Sequence, residues 1–584
     1  MAPFHDDDSE APEYNDRAYK RQLGGWLSYA FASEVFVIVS LTLFLPICLE
    51  QFARDNGFLL PDRMQPCTSA LPTPAKAPKG EEERCVVKLG WMWIDSASFS
   101  LYVYSISVAL QALTVISMGG IADHSAHRKR LLLAFAGLGS ACATLFLALP
   151  SSSPVWVLAA PLAILANVGF GASIVALNAY LPALARGTKE VIATRTALWR
   201  LNNAHPLDLS DDSPSLECES EHPEEEAQPH HPLLSHQVPA TDADVVAAKA
   251  AHDSALSSAT ARISAQGIAL GYAAGIAMLL LALVPVRMLG GSTFALRLAV
   301  GLSGLWWALF SVPAAIWLPG SSDIEPKSSL SLADGEAGGI EEGERERWNT
   351  WREVRNAWRR LGGMLQWREI RRLRNTFVYL FAWFLLSDGF TTITSTAILF
   401  AKTTLHMTPF SLIIIGVLTP TAGILGSLIW PVLQRRAGWT NLRILVTLVG
   451  MGSAIPAYGC LGFLPIFQKG AHVGGLTTPG EMYVLAVYFG SVYGAFQGYA
   501  RAFYAELIPP GEEARWYGLF SITDKSSSFV GPLIVGLIAD TTGNIRYAFF
   551  FLVLMIWLAI PALMSADVER GREDARAYIY HLSP

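Results

Sequence analysis

Long apolar blocks separated by short polar connections make up most of the chain. Each block runs for roughly 20 residues or more with few charges, the length an α-helix needs to cross the hydrocarbon core of a bilayer. About twelve blocks fit this description, with boundaries good to a few residues. The predicted spans cover residues 27–50, 98–121, 131–150, 155–182, 262–285, 294–318, 376–400, 409–433, 441–466, 481–504, 516–539 and 545–566.

Composition supports the same interpretation. Of the 584 residues, 52% are hydrophobic and only 16% are charged, which does not describe a water-soluble core with a charged surface. The formal net charge of -6 is small and favours neither nucleic acid nor an acidic partner. The pattern therefore predicts an all-α polytopic membrane protein surrounded by a lipid bilayer.

The spans form two groups of six, joined by a long polar connection. In the fourth span Gly171 lies eleven residues before Pro182, and in the tenth Gly498 lies eleven residues before Pro509. A repeated spacing of this kind indicates an internal duplication, as in many transporters.

The connection after the second span, GGIADHSAHRKRL, resembles the signature of the major facilitator superfamily. Its predicted gating residues are Gly119, Asp123 and Arg128, with glycine allowing close helix approach and the acid capping or pairing with a neighbouring helix end. The match departs from the signature at Ala126, and the corresponding second-half loop has Gln434 where an acid is expected. We therefore predict two six-helix halves of the major facilitator type.

These assignments divide the chain into five segments. The first span follows a polar leader and has no small-residue cleavage site, which indicates a retained signal-anchor helix. The predicted segments are a tail over 1–26, a first bundle over 27–318, a central loop over 319–375, a second bundle over 376–566 and a tail over 567–584.

Basic residues predict the orientation, because Lys and Arg near span ends resist translocation. They cluster at Arg128–Arg130, between Arg345 and Arg374, and at Arg435 and Arg436. These connections, and with an even span count both termini, are therefore expected in the cytosol. The 51–97 loop is expected on the other side.

The six cysteines point to at most one disulfide. Cys67 and Cys85 share the 51–97 loop, where they either form a disulfide or stay as two free thiols. The stretch from 187 to 260 is rich in Glu, Pro, His and Ser, so we expect disorder there. Its histidines are better explained as incidental to a solvated linker than as metal ligands, and we predict no metal and no cofactor.

The central loop carries a basic amphipathic pattern. Trp351, Val354, Trp358 and Leu361 recur at helical spacing, while arginines occupy the other faces. We expect a helix on the cytosolic lipid surface with its arginines near anionic headgroups, and a basic RNA-binding helix is the rival interpretation.

One carboxylate lies inside an apolar span of each half. Glu34 and Asp388 follow serines in YAFASEVF and WFLLSDGF. A carboxylate there costs roughly 2.5 to 3.5 kcal/mol on insertion scales unless it is protonated, paired or wetted. Both are candidates for proton-coupled transport, and helix packing explains them equally well.

Other polar groups in the spans are candidates for a substrate cleft. Asp524 and Lys525 lie beside SSSF in the eleventh span, near Arg501 of the tenth. These charges either contact the substrate or neutralise one another. Asn178 and Gln497, on the paired fourth and tenth spans, are candidates for substrate contact or for interhelical hydrogen bonds.

Enzyme motifs are missing from the sequence. It contains no GxSxG, no GxxxxGK[ST] and no HExxH, so we predict no enzyme and a transport process driven by a gradient. A nutrient sensor or scaffold on the same framework, or a transporter of another small solute, remains open. The oligomeric state is not determined by the sequence.

Several longer strings narrow the family. NVGFGASIVALNAYLP, ARISAQGIALGYAAG, FLLSDGFTTI, YARAFYAELIPP and WYGLFSITDKSSSFVGPLIVG together resemble the fungal autophagy-related protein 22 family of vacuolar amino-acid effluxers. The resemblance extends over essentially every span. It implies twelve helices in the vacuolar membrane and export of leucine and other neutral amino acids to the cytosol after autophagic degradation.

Overall fold

The structure is a computed structural model of the full chain. It describes residues 15–60, 63–67, 84–123, 125–151, 153–203, 242–320, 350–464, 467, 474–509 and 513–578. These residues form two compact units. A small unit contains residues up to Leu23 and from Tyr180 to Gln266, and the main unit contains Gly24–Ala179 and Gly267–Pro584.

The first predicted span is a helix whose middle is wound more loosely than its ends. α1 (Asp16–Val35) leads into a π-helical stretch (Phe36–Phe44) and then α2 (Leu45–Asp55). Pro46 has no backbone N–H to donate to a carbonyl oxygen of the preceding turn, and the π-helical stretch ends just before this proline.

The remaining helices of the first half include those of the predicted blocks. Their apolar residues are buried where helices meet and exposed where lipid would lie. They are α3 (Ser96–Asp123), α4 (Ser125–Leu145), α5 (Ala159–Asn178), α6 (Leu181–Arg186), α7 (Lys189–Asn203), α8 (Asp242–Met288) and α9 (Thr293–Trp317).

Two helices precede the second half. The amphipathic pattern of the central loop forms α10 (Thr350–Met364), which confirms the predicted helix, and α11 (Trp367–Arg372) joins it to the next span. The helices of the second half are α12 (Arg374–Thr403), α13 (Pro409–Ala437), α14 (Asn441–Leu461), α15 (Pro479–Ala505), α16 (Glu513–Ser527), α17 (Val530–Thr542), α18 (Ala548–Met564) and α19 (Val568–Ala577).

The eleventh predicted span is broken in the middle. α16 ends at Ser527 and α17 begins at Val530, just before the Gly531–Pro532 pair. Proline removes a backbone donor, and its ring crowds the preceding turn, so the helix cannot run straight through. The interruption predicted at this pair is confirmed.

Each predicted span corresponds to a helix or to the α16–α17 pair. Ten helices in the described residues are long and apolar enough to cross a membrane. α15 and the broken α16–α17 pair are not among the ten, because α15 is less apolar and each half of the pair is short. The predicted class, a helical polytopic membrane protein, is confirmed.

The prediction of disorder over 187–260 is wrong at both ends. α7 occupies the first part of that stretch, and α8 begins at Asp242, well before the predicted fifth span. The sequence DADVVAAKAAHDSALSSATARISAQ is rich in alanine, the strongest helix former. It therefore continues α8 towards its N-terminus although it has few large apolar residues. Residues 204–241 lie outside the described residues.

The 51–97 loop contains a small antiparallel sheet. β1 (Phe58–Leu59), β2 (Cys85–Leu89) and β3 (Met92–Asp95) pair in sequence order, with Leu59 opposite Cys85 and Val86 opposite Asp95. A disulfide joins Cys67 to Cys85, with their Cα atoms 5.9 Å apart. The sheet marks one end of the main unit, which we call the sheet end, and the other we call the opposite end.

Glycines bring α13 and α15 into backbone contact. A Cβ on Gly426 would lie 2.1 Å from the carbonyl oxygen of Ser491, and a Cβ on Gly490 would lie 2.1 Å from that of Thr419. In lipid no hydrophobic effect drives helices together, so van der Waals packing must hold them. Small residues allow the close backbone approach that this packing needs. The close crossing holds α15 where its polar side chains join the site below.

Candidate functional site

The break between α16 and α17 is held by a carboxylate from α12. Asp388 is 1% exposed, and its two oxygens accept the backbone N–H of Gly531 at 2.8 and 3.0 Å. Thr392 also donates its hydroxyl to Asp388, at 3.3 Å. Because the first N–H groups of a helix have no partner within that helix, this carboxylate caps the start of α17. Asp388 therefore has a structural role that is visible in its contacts.

A set of charged groups lies on the α16 side of the break. Asp524 and Lys525 form an ion pair with a separation of 3.4 Å, and Ser387 donates its hydroxyl to Asp524 at 2.5 Å. Lys525 interacts electrostatically with Glu34 of α1, which belongs to the other half. All three charged side chains are partly exposed. We call Glu34, Ser387, Asp524 and Lys525 the charged cluster.

Three tyrosines surround the charged cluster. Tyr104 of α3 interacts electrostatically with Asp388 and Asp524, and Tyr272 of α8 interacts with Glu34. Tyr493 of α15 interacts with Asp524. The site thus draws on helices of both halves and combines both charge signs with phenol groups. Sequence reasoning missed the tyrosines, although a phenol within an apolar span is a detectable signal.

The other predicted cleft residues differ in how they are connected to the charged cluster. Gln497 donates its amide to the hydroxyl of Tyr493 at 2.9 Å, which joins it to the aromatic side of the site. Arg501 is exposed one turn further along α15 and interacts electrostatically with Tyr272. Asn178 is exposed at the C-terminal end of α5, and the described hydrogen bonds do not link it to the cluster.

The predicted gating loop is only partly described. Gly119 and Asp123 lie at the end of α3, and their side chains lie outside the described residues. Arg128 is half-buried and has interactions with its surroundings. Its neighbour Lys129 donates to the carbonyl oxygen of Leu318 at 2.7 Å, which ties α4 to the end of α9.

At the sheet end, a buried ion pair joins the two halves. Glu50 of α2 is fully buried and binds Lys402 of α12. Lys402 also donates to the carbonyl oxygen of Ile47 at 3.0 Å and to Gln51 at 3.3 Å. Sequence reasoning missed this pair, although both residues lie near the ends of the two spans that the repeat matches.

The small sheet adds a second connection between the halves. The backbone N–H of Asp95 donates to the carboxylate of Asp540 at 2.9 Å, and Arg84 donates to the carbonyl oxygen of Asp540 at 2.7 Å. Ser98 of α3 donates to the carbonyl oxygen of Gly536 in α17, at 2.9 Å. Together with the Glu50–Lys402 pair, these contacts close the sheet end between the halves.

At the opposite end, the second half carries an open cavity of about 300 Å³ between α13 and α15. Gln434, placed where the signature expects an acid, accepts the hydroxyl of Tyr499 at 2.7 Å and donates to Asn441 at 2.8 Å. Asn441 in turn donates to Glu506, which also binds Arg572 at 2.6 Å. The hydrogen bond that Arg572 donates to Glu506 raises the pKa of Arg572 above its ordinary value. The acid missing from this loop is thus supplied by Glu506.

Within the described residues, no group of three or more His, Cys, Asp or Glu side chains could hold a metal ion. The chemistry of the site is therefore that of charges, hydroxyls and amides within a membrane-spanning bundle. A helical bundle with paired charges between its halves is a polytopic membrane protein of the transporter class.

The chain belongs to the family described as Vacuole effluxer Atg22 like, whose model matches residues 18–576. The autophagy-related protein 22 of Cryptococcus neoformans is 41% identical, with 94% of this chain and 95% of the relative covered. That of Coccidioides immitis is 39% identical, with 95% and 88% covered. The family expected from the sequence is confirmed, and it is one of multi-pass transporters of the vacuolar membrane.

Among solved structures, the chain is similar to the inward-open xylose transporter XylE of E. coli. The TM-score is 0.49 at 10% identity, with 95% of this chain and 99% of that one covered. The nucleoside transporter NupG gives a TM-score of 0.48 at 12% identity, with 94% and 98% covered.

Proposed function

We propose that the chain exports neutral amino acids, leucine among them, from the vacuole lumen to the cytosol by alternating access. The observation that carries the proposal is the ion pair between Asp524 and Lys525, 3.4 Å apart inside an otherwise apolar bundle, which interacts electrostatically with Glu34 of the opposite half. A neutral amino acid is a zwitterion. Its carboxylate pairs with Lys525 and its ammonium with Asp524, so that binding satisfies charges that are costly in a membrane.

The proposed orientation places the sheet end in the lumen. Basic residues at the opposite end, including Arg435 and Arg436, favour the cytosol, and the Cys67–Cys85 disulfide suits a compartment outside the cytosol. Both termini are then cytosolic. In this orientation the lumen side is closed by the Glu50–Lys402 pair, and the cavity beside Gln434 opens to the cytosol.

Proton coupling is part of the proposal and centres on Glu34. Its carboxylate faces the charged cluster, whereas that of Asp388 is engaged by Gly531 and Thr392. Glu34 protonated on the lumen side would release Lys525 to bind the substrate carboxylate, and loss of the proton on the cytosolic side would favour substrate release.

The test is efflux of radiolabelled leucine from liposomes that contain the full chain, with and without a pH gradient. We expect Glu34→Gln and Lys525→Gln to lower flux by at least tenfold, since one charged hydrogen bond is worth about 1.5 to 3 kcal/mol. Glu573→Gln, at an exposed position of α19, is the matched control and should keep native flux.

Three outcomes would count against parts of the proposal. Native flux in Glu34→Gln would remove the cluster from the mechanism. Flux of another small polar solute, but not of amino acids, would keep the transporter and reject the substrate. Well-folded native protein that moves none of a panel of solutes would instead favour a sensor or scaffold.

A further inference from the structure

An arginine-rich surface lies on the helices that connect the two halves. Trp351 is 81% exposed and Trp367 is 66% exposed. Arg371 stacks over the ring of Trp367 at 5.2 Å, so cationic and aromatic groups share one surface. The arginine surface comprises these residues and the exposed side chains of Arg355, Arg359, Arg360 and Arg368.

Three residues of α10 attach the helix to the bundle. Met364 is buried and belongs to the main hydrophobic core, against which Leu361 packs. The indole N–H of Trp358 donates to the hydroxyl of Ser117 at 3.2 Å, and α10 packs along α3. α10 is thus attached to the bundle through Trp358, Leu361 and Met364, while Arg355 and Arg359 are exposed, which is the composition of a membrane-surface helix.

The position of α10 places this surface at the membrane boundary. α3 begins at Ser96 beside the sheet, and Ser117 lies roughly 32 Å further along the helix at 1.5 Å per residue. The hydrocarbon core is about 30 Å thick, so Ser117 reaches the far boundary. α11 then leads directly into the membrane-spanning α12. Tryptophan is enriched at this depth, and arginine there meets lipid phosphates.

We propose that the arginine surface binds the headgroups of anionic phospholipids and that this binding sets the transport rate by holding α10 against α3. One guanidinium group can bind two phosphate oxygens through two parallel hydrogen bonds, and the arginine surface offers several such groups. The tryptophans between the arginines favour a lipid over RNA, because they need an apolar layer beside the phosphates. α3 carries Tyr104 to the charged cluster and Ser98 to α17, so a brace on α3 acts on both halves.

The binding step is tested without any transport assay. Hydrogen exchange of residues 350–372 is measured for the full chain in nanodiscs of phosphatidylcholine, with or without phosphatidylserine. We expect slower exchange in the anionic discs. Arg355→Gln with Arg359→Gln should abolish that protection, at roughly 1 kcal/mol per arginine or about thirtyfold in headgroup affinity.

Two further variants make the result specific. Arg435→Gln with Arg436→Gln removes two positive charges at another place on the opposite end. This variant should keep the slower hydrogen exchange of residues 350–372 in anionic discs. Arg355→Lys with Arg359→Lys keeps the charge and should keep most of that protection. Equal exchange in both lipids, or equal loss in the control, would overturn the proposal. So would protection by RNA or by inorganic phosphate in neutral discs at the level expected for phosphatidylserine.

The regulatory step rests on the proposed function, so it is measured separately as leucine efflux. We expect severalfold faster efflux in anionic than in neutral liposomes and no lipid dependence in the Arg355→Gln, Arg359→Gln variant. Efflux that ignores lipid charge while exchange protection persists would overturn the regulation alone. A lack of efflux in every lipid would reject the proposed function and leave the binding result standing.

Discussion

The carboxylate of Asp388 in α12 accepts the backbone N–H of Gly531 at the first turn of α17, 2.8 Å from the nearer oxygen. This contact joins two spans across a helix break and occupies both carboxylate oxygens. Glu34, the corresponding carboxylate of the first half, instead interacts electrostatically with Lys525. The two acids that the repeat pairs therefore have different roles.

Replacing Asp388 tests its capping role. Asp388→Ala leaves the Gly531 N–H without its partner and should lower the free energy of unfolding by about 1 to 2 kcal/mol. Asp388→Asn keeps an acceptor oxygen and should lose less. Thermal unfolding in detergent compares the two variants, and leucine efflux should fall less in Asp388→Asn than in Glu34→Gln. An Asn variant as unstable as the Ala variant would show that the charge itself is needed.

Gly271 of α8 tests the position of Glu34 without changing any charge. A Cβ on Gly271 would lie 2.4 Å from Cγ of Glu34, so Gly271→Ala must displace that side chain. We expect a severalfold loss of efflux with little loss of thermal stability. Gly137→Ala in α4 meets nothing within 4 Å and serves as the control, because alanine there only improves helix propensity. Unchanged efflux in Gly271→Ala would mean that the position of Glu34 is unimportant.

Breaking the Glu50–Lys402 pair should open the sheet end. Lys402→Met removes the nearest cation from the buried Glu50 carboxylate and leaves it only the longer ion pair with Arg54, at 3.8 Å. Removing one partner of a buried ion pair typically costs about 3 to 5 kcal/mol. Cys48 is a buried free thiol in α2, and maleimide labelling of it reports opening. We expect labelling at least tenfold faster in Lys402→Met.

Glu50→Gln added to Lys402→Met removes the buried negative charge that has lost its nearest cation and should return labelling most of the way to native. The background replaces Cys142, Cys218 and Cys460 with serine. Labelling unaffected by Lys402→Met, or equally fast in the double variant, would contradict a latch at this position.

Asp95 should make stability depend on pH at the sheet end. Burial raises the pKa of Asp95 to about 6, against the lowering influence of the Ala97 N–H and Arg84, while Asp540 and Glu50 raise it further. The native state therefore holds a proton between roughly pH 4 and 6 that the unfolded chain releases. Its contribution is fully present below about pH 4 and is lost as pH rises through 6.

The expected size is on the order of 2 kcal/mol, and it appears as a melting temperature that rises between pH 7 and pH 5. Asp95→Asn still accepts a hydrogen bond from Ala97 but cannot titrate, so its pH dependence should be flatter than native. Parallel pH profiles for native protein and Asp95→Asn would assign the dependence to another group.

The sequence by itself determined the helical membrane class, the order of the spans and the break at Gly531–Pro532. It could do so because span length, apolar composition and proline chemistry are local properties. It also marked Glu34, Asp524 and Lys525, since a charge within an apolar block stands out whatever surrounds it. The helix over 242–260 was not predicted, because the polar composition of this stretch indicates disorder, whereas its alanine content favours a helix.

Only the tertiary structure decided which charges meet. Glu34 and Asp388 occupy equivalent positions in sequence, and their different partners depend on helices hundreds of residues away. The same holds for Glu50 with Lys402 and for the three tyrosines around the cluster. Their pairing follows from how helices cross and rotate, and the helical periods of two separate segments carry no information on their mutual rotation.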